Sequence, residues 1–304
     1  MRFILPVLDQ SQSSGMVNEN EWFLEPMESK GTLFGLKLDG ERLHAEQSAF
    51  QHIEIYQTET FGKLMVIDGC VMLTDRDNFL YHEMIAHPAL CLHPNPRRVL
   101  IIGGGDCGTL REVLRHPQVE SAVQVDIDER VTRLAEEYFP ALCDSNDDAR
   151  AQLLFDDGIA YVRNAADQAF DLIIVDSTDP VGPAEGLFNR AFYAQCHRAL
   201  ADDGILVQQS ESPLIHLELI QQVHASMKGE GFAATRLVNF PQPVYPSGWW
   251  SATLAFKQAE GAQRQADSAR VEAISADTLY FNAATLNGAL ALPNFVAKAL
   301  AEKA

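Results

Sequence analysis

The loop Gly103-Gly104-Gly105-Asp106-Cys107-Gly108 stands between the apolar run Val99-Leu100-Ile101-Ile102 and the helix-patterned stretch Leu110-Arg111-Glu112-Val113-Leu114. Gly-x-Gly-x-x-Gly between a strand and a helix lets backbone amides approach a ligand closely, which makes Gly103 and Gly105 candidate contacts. Asp126, 21 residues after Gly105 at the end of the next apolar run, is where a carboxylate accepts the two hydroxyls of a ribose. Two more runs end in Asp156-Asp157-Gly158 and Asp176-Ser177-Thr178-Asp179-Pro180. In a parallel sheet such strand ends converge on one crevice, and so many carboxylates together are costly without cations. The pattern suits a nucleoside ligand bearing positive charge. A pyrophosphate is a poor fit, because Asp106 would face it across the amides that should bind it. An aspartate at this position also caps the following helix, and the two roles are compatible.

Other constellations carry less. His82-Glu83-Met84-Ile85-Ala86-His87 resembles a zinc-protease motif, but imidazoles five residues apart on a helix are separated by about 140° beyond a full turn and cannot share a face. There is no Gly-x-Ser-x-Gly elbow and no Walker loop. The Asp176 to Leu187 segment, punctuated by Pro180, Gly182, Pro183 and Gly186, is long enough to act as a lid or to be a plain surface turn. Trp22, Tyr81, Tyr245, Trp249 and Trp250 are residue types found more often in cores and interfaces than at ligands.

The elements that must hold these groups fall into two patterns. From Thr32 to Thr74, short β-type runs (Leu33 to Leu38, Phe50 to Tyr56, Leu64 to Asp68) are separated by Asp39-Gly40, Phe61-Gly62 and Asp68-Gly69 turn signals, which reads as a small antiparallel sheet. From Asp77 the spacing becomes helical, and beyond Asn95-Pro96 buried-strand runs (Val99 to Ile102, Ala122 to Val125, Gln152 to Phe155, Asp171 to Val175, Gly204 to Gln208) alternate with helical stretches. Parallel strands need crossover segments and are apolar on both faces, so this alternation predicts an α/β domain with a mainly parallel, doubly wound sheet. After Phe256 comes a Gln, Ala and Glu-rich linker or helix, and then an apolar-rich tail, Tyr280 to Leu300, that must dock. The expected division is an N-terminal β domain over 1–78, a catalytic domain over 79–258, and a linker and tail over 259–304.

The 304 residues carry 42 Asp and Glu against 23 Lys and Arg, a formal charge of -19, which disfavours nucleic acid and anionic membranes and favours cationic partners. The five cysteines (70, 91, 107, 143, 196) include no Cys-x-x-Cys pair and an odd thiol, as expected in a reducing, cytoplasmic setting. The apolar opening is short and broken by Pro6, and no run reaches the roughly 18 apolar residues of a membrane span.

The run Val99 to Glu112 (VLIIGGGDCGTLRE) resembles the signature of the spermidine synthases, the polyamine aminopropyltransferases. Tyr81-His82-Glu83-Met84, His93-Pro94-Asn95-Pro96-Arg97, Asp126-Ile127-Asp128, Asp156-Asp157-Gly158, Asp176 to Pro183 and Pro243 to Gly248 resemble further motifs of that family in order, over about Trp22 to Phe256. The resemblance implies a small antiparallel β domain followed by a methyltransferase-like Rossmann domain. It implies transfer of an aminopropyl group from decarboxylated S-adenosylmethionine, a co-substrate, to a diamine such as putrescine, with no cofactor or metal and in a homodimer or homotetramer. Carried over by position, Gln51 and Asp126 would hold the ribose, while Asp157 and Gly158 would read the adenine between Ile127 and Leu187. Asp106 would bind the aminopropyl ammonium, with Asp176 as base and Tyr81 placing the attacking nitrogen. Trp22, His82, Asp179, Gln209 and Tyr245 would line the acceptor pocket. Cys107 stands where glycine is frequent, Phe50 and His52 flank Gln51, and Met72 replaces a frequent polar residue, all of which bear on acceptor choice.

The chemistry is self-consistent. A protonated amine has no lone pair, so a carboxylate must take its proton as the nitrogen attacks the carbon beside the sulfonium. The alternatives are an aminopropyltransferase acting on cadaverine or spermidine, a methyltransferase using intact S-adenosylmethionine, whose carboxylate Asp106 would repel, an NAD-dependent oxidoreductase, and a non-catalytic polyamine-binding protein.

Overall fold

The computed structural model describes residues 21–178 and 186–302. Strands β1 (Trp22–Met27) and β2 (Thr32–Lys37) form an antiparallel ribbon, and β3 (His44–Gln47), β4 (His52–Thr58), β5 (Gly62–Ile67) and β6 (Cys70–Thr74) form a four-stranded antiparallel meander. The Asp68-Gly69 hairpin is set by two residues with positive φ, 50° and 84°, a turn whose twist matches that of the strands it joins. Phe50 and Gln51, expected within a strand, sit instead in the turn before β4, because the Ser48 hydroxyl accepts from both of their amides at 3.0 Å.

Helix α1 (Asn78–Leu92) leads into the second domain and is buried at every position from Tyr81 to Leu92, so it is enclosed all round rather than on one face, with His82, Glu83 and His87 as its buried polar groups. There follow β7 (Arg98–Gly103), α2 (Gly108–Leu114), β8 (Ser121–Asp126), α3 (Glu129–Tyr138), β9 (Ala151–Phe155), α4 (Gly158–Asn164), β10 (Phe170–Asp176), α5 (Arg190–Ala199), β11 (Leu200–Gln209), α6 (Leu217–Gly229), β12 (Ala234–Pro241) and β13 (Trp249–Phe256). The seven-stranded sheet runs β12-β13-β11-β10-β7-β8-β9. Its five strands from β11 to β9 are parallel, while β13 is antiparallel to both of its neighbours. This is a Rossmann-like layered domain.

One face of the sheet packs against α1 and α2 through Met84, Ile85, Leu90, Leu110 and Val113, and the other against α5 and α6 through Phe192, Tyr193, Val223 and Met227. Helix α3 joins the two domains, inserting Val131, Leu134 and Ala135 against Ile53, Ile55, Met65 and Leu73.

The stretch after Phe256 forms four short helices: α7 (Ala259–Gln263), α8 (Ser268–Ser275), α9 (Ala283–Leu290) and α10 (Asn294–Glu302). The docking site of the tail is specific. The buried Glu83 carboxylate on α1 accepts from the amides of Leu279, Tyr280 and Phe281 at 2.8, 2.8 and 2.7 Å, and the Phe281 ring packs on His87. Three backbone donors satisfy a charge that the interior would otherwise penalise heavily.

Candidate active site

Strands β10, β7, β8 and β9 are neighbours in the sheet, so their carboxyl ends bring Asp176, the glycine loop, Asp126 and Asp156-Asp157 to one edge. The loop is held against β10 by the Gly104 amide, which donates to the Asp176 carbonyl at 2.8 Å. Gly103 is required there: with φ 81°, its absent Cβ would lie 2.1 Å from that carbonyl oxygen. Gly105 has Asp126 Oδ2 2.9 Å from the same virtual position, and its carbonyl accepts from the Thr132 hydroxyl at 2.7 Å.

Asp176 is held by two hydroxyls, Tyr81 donating to Oδ1 and Thr109 to Oδ2, both at 2.6 Å. Burial, then the nearby Asp106 charge, push its carboxyl above the usual range. Burial, then the Asp176 charge, push the Tyr81 phenol well up, so it stays a donor. The Asp106 carboxylate accepts from the Gly108 amide at Oδ1, at 2.7 Å, and is hydrogen-bonded at Oδ2 to His82 Nε2, at 3.3 Å, with the same nitrogen 3.2 Å from Oδ1. The helix-capping role is therefore present, together with an ion pair. Burial alone would raise Asp106, but the His82 charge and hydrogen bond outweigh it and hold the carboxyl low; the same pairing outweighs burial in the opposite sense and raises His82. His82 fits only because residue 108 is glycine, whose virtual Cβ would meet the imidazole at 2.2 Å. His87, five residues on, faces Glu112 and His116 at 3.1 and 3.0 Å, so the two imidazoles have different partners.

Asp126 sits among acids. Burial, with Asp128, Asp176 and Asp106 adding repulsion against one Asp128 amide bond, pushes it up to about 6. Gln51 is tethered nearby, since Ser48 bonds both the Gln51 carbonyl at 3.1 Å and Asp128 Oδ2 at 2.6 Å. Ile127 follows Asp126 and is half-buried. Asp157 caps α4, its Oδ1 accepting from Ile159 and Ala160 at 2.8 and 3.2 Å, and Gly158 lets that helix approach Ile102, 2.5 Å from its virtual Cβ. Leu187 is mostly buried in the cluster containing Ile102 and Val125.

Across the crevice, the Tyr81 ring lies 5.8 Å from that of Tyr245, whose hydroxyl donates to the Met72 carbonyl at 2.6 Å. Val244 and Tyr245 pack with Phe23, next to Trp22 on β1, so the N-terminal ribbon closes this side. Gln209 ends β11 buried, its amide 3.5 Å from both the Thr178 carbonyl and Glu211 Oε1. Asp179, and with it residues 179–185 of the lid expected over Asp176 to Leu187, lie outside the described residues.

Two residues of the site were missed from sequence. Thr109 gives no signal by type. Glu211 does, because it follows the fifth parallel strand as the aspartates follow the first four; it is buried, with φ 64°, and its Oε2 lies 3.2 Å from His216 Nδ1.

The spermine/spermidine synthase domain family matches residues 78–265, and the spermidine synthase tetramerisation domain family matches residues 21–75. A polyamine aminopropyltransferase from Xanthomonas campestris pv. campestris (strain B100) is 60% identical over 289 residues, covering 94% of this chain and 100% of the relative. Another from Xanthomonas axonopodis pv. citri (strain 306) is 61% identical over 287 residues, covering 94% of this chain and 99% of the relative. Among solved structures, a spermidine synthase in complex with the transition state analogue AdoDATO superposes with a TM-score of 0.88 at 36% identity, covering 93% of this chain and 96% of that one. Spermidine synthase from Thermotoga maritima gives 0.85 at 36% identity, covering 92% and 94%. With this crevice, these two matched domains and relatives aligned over nearly their whole length, the chain belongs to the spermine/spermidine synthase family and is an aminopropyltransferase.

Proposed function

We propose that the chain transfers the aminopropyl group of decarboxylated S-adenosylmethionine to putrescine, releasing spermidine and methylthioadenosine. The observation that carries this reading is the crowding of Asp106, Asp126 and Asp176 at one crevice with His82 as their near cation, an arrangement suited to a sulfonium and several ammonium groups. The AdoDATO complex of the structural relative points the same way. In this reading Asp126 and Gln51 take the ribose hydroxyls, Asp157 and the Gly158 amide the adenine edge, and Ile127 and Leu187 its faces, with Gly103 and Gly105 allowing the nucleoside close to the backbone.

The acceptor enters between Trp22, Tyr81, His82, Gln209 and Tyr245, with Asp179 joining them and the Glu211 carboxylate adding negative charge behind Gln209. Asp176 takes a proton from the near ammonium. The freed lone pair forms the new C–N bond, the C–S bond breaks, and its electron pair returns the sulfonium to a neutral thioether. Tyr81 and Thr109 fix the carboxylate for that transfer, and its raised proton affinity makes it a stronger base. Neither a metal nor a redox cofactor has a step in this scheme. The match of residues 21–75 to a tetramerisation domain supports a homo-oligomer built through the N-terminal sheets. Among the described residues no helix is long and apolar enough to cross a membrane.

The test is incubation with decarboxylated S-adenosylmethionine and a panel of amines (putrescine, cadaverine, spermidine), with products identified by mass. Spermidine formed fastest, from putrescine, is the expected result. Preference for another amine would move the acceptor assignment, and methyl transfer from intact S-adenosylmethionine without aminopropyl transfer would overturn the reading.

A further inference from the structure

Arg236 breaks the alternation of the strand that carries it. In β12, residues 236, 238 and 240 fall on one face of the sheet, and Val238 and Phe240 are buried there in the core shared with α1, α8 and α9. The first place in that row holds a guanidinium instead of a hydrocarbon. Its Nη1 donates to the Ala262 carbonyl at 3.2 Å, and among the described residues no carboxylate pairs with it. Burial accordingly pulls it below the ordinary arginine range. Arg264 is similarly placed: its Nη1 donates to the Leu92 carbonyl at 3.4 Å, and among the described residues it too has no acid partner. The contrast is with Arg42, Arg98, Arg130, Arg150 and Arg198, each of which meets an Asp or Glu in this acidic chain.

Both arginines line one cavity of about 1140 Å³ between β12, the α7–α8 connection, α8 and α9. Leu92, Val271, Leu286 and Leu290 give it an apolar wall, and its one acidic lining residue, Glu272, is exposed. That room suits a small organic molecule rather than a bare ion. The cavity is apart from the nucleoside crevice, since three strand spacings of about 4.8 Å separate β12 from β10, which carries Asp176. Its charge is also opposite, so a diamine or a sulfonium is repelled where an anion is drawn in.

We propose that this cavity binds an amphiphilic organic anion, its carboxylate held by Arg236 and Arg264 and its aliphatic body laid on the leucines. A guanidinium fork matches a carboxylate in charge and in plane, and an incoming carboxylate offsets the desolvation that Arg236 bears unpaired. Occupancy joins the sheet edge, the α7–α8 connection and α9. Helix α9 begins just after the segment that donates to Glu83, so the ligand braces the tail against α1 and stabilises the folded chain.

The experiment titrates the full chain by calorimetry with octanoate, with 1-octanol as a neutral body of the same length, and with inorganic phosphate as a charge without a body. Octanoate should bind at least about tenfold more tightly than either and should raise the melting temperature. Arg236→Gln and, separately, Arg264→Gln should each bring octanoate down to the affinity of octanol while leaving aminopropyl transfer unchanged. Arg264→Gln carries the test if Arg236→Gln fails to fold. Octanol or phosphate binding as tightly as octanoate, no binding of octanoate, or an octanoate affinity indifferent to the substitutions would overturn the proposal and leave Arg236 as a charge that keeps the edge strand from pairing with other chains.

Discussion

Strand β10 carries an aspartate at each end, and the two are opposites. Asp171, near its start, faces Arg98 at 2.7 Å and accepts from the amides of Arg97 and Arg98 at 3.0 and 2.8 Å. Burial opposes this ionisation, but the Arg98 bond and the two amides outweigh it and hold the carboxyl low. Asp176, at the other end, is met by hydroxyls and a like charge, and its carboxyl is pushed up. One end of the sheet is therefore electrostatically complete within the protein, while the other leaves negative charge to be compensated from outside. This is how a binding edge differs from a structural one in a fold that places polar groups at both.

Removing charge at each end should separate the two most sharply. Asp176→Asn should lower kcat by on the order of 10²–10⁴-fold, with no fall in melting temperature, because it removes the proton acceptor and relieves repulsion. Near-parental turnover would place the base elsewhere. Asp171→Ala should do the reverse: a loss of about 1–3 kcal/mol in unfolding free energy, discounted for the exposed Arg98, with kcat per folded molecule unchanged in a denaturant titration paired with assays. Smaller still is Asp106→Asn, where the amide can retain the helix cap but not the charge. The decarboxylated donor should bind about ten- to thirtyfold more weakly, while methylthioadenosine, lacking the charged arm, is unaffected. Equal losses for both ligands would make Asp106 a structural cap only.

The smallest effect is in pH dependence. A carboxyl raised on folding, like Asp126 at about 6 against 3.8, disfavours the folded state where it is ionised. That penalty is absent below the unfolded value, grows as pH rises through about 6 and is complete above it. Asp126→Asn should therefore be more stable than its parent at pH 7.5, with an advantage that shrinks as pH falls through about 6 and is gone below the unfolded value of 3.8. Asp171, held low, has the opposite sign: its contribution is present above 3.8 and is lost as pH falls below that. Melting curves of both variants from pH 7.5 down to below the unfolded carboxyl value test the signs, and parallel pH profiles would erase the distinction between the two ends.

The alternation of apolar runs and helical stretches is a short-range signal, and it located all five parallel strands and the acids behind four of them. What it did not carry was the antiparallel edge, where β13 pairs with β11 and β12 with β13 in registers decided by tertiary contacts. The same limit explains Thr109, an ordinary helix residue until β10 brings Asp176 to its hydroxyl. Glu211 was legible by the strand-end rule but lies beyond the fourth aspartate, where the pattern had already explained a ligand. Asp106 read as a helix cap and as a partner for a ligand's ammonium; the geometry shows the bond to the Gly108 amide, and beside it a contact with His82 that the sequence did not indicate, because it depends on α1 crossing the loop.

The hold of Glu83 on residues 279–281 also ties catalysis to the order in which the chain is made. Tyr81 and His82 ride on the same helix, yet the amides that neutralise their neighbour lie 196 to 198 residues further along. During synthesis the nucleoside crevice can be fully translated while the helix that carries Tyr81 and His82 still holds a carboxylate with none of these three donors, so ribosome-bound chains should be inactive until residue 281 is free to fold back. A stop codon in the tail would then silence the enzyme without altering any residue that touches substrate.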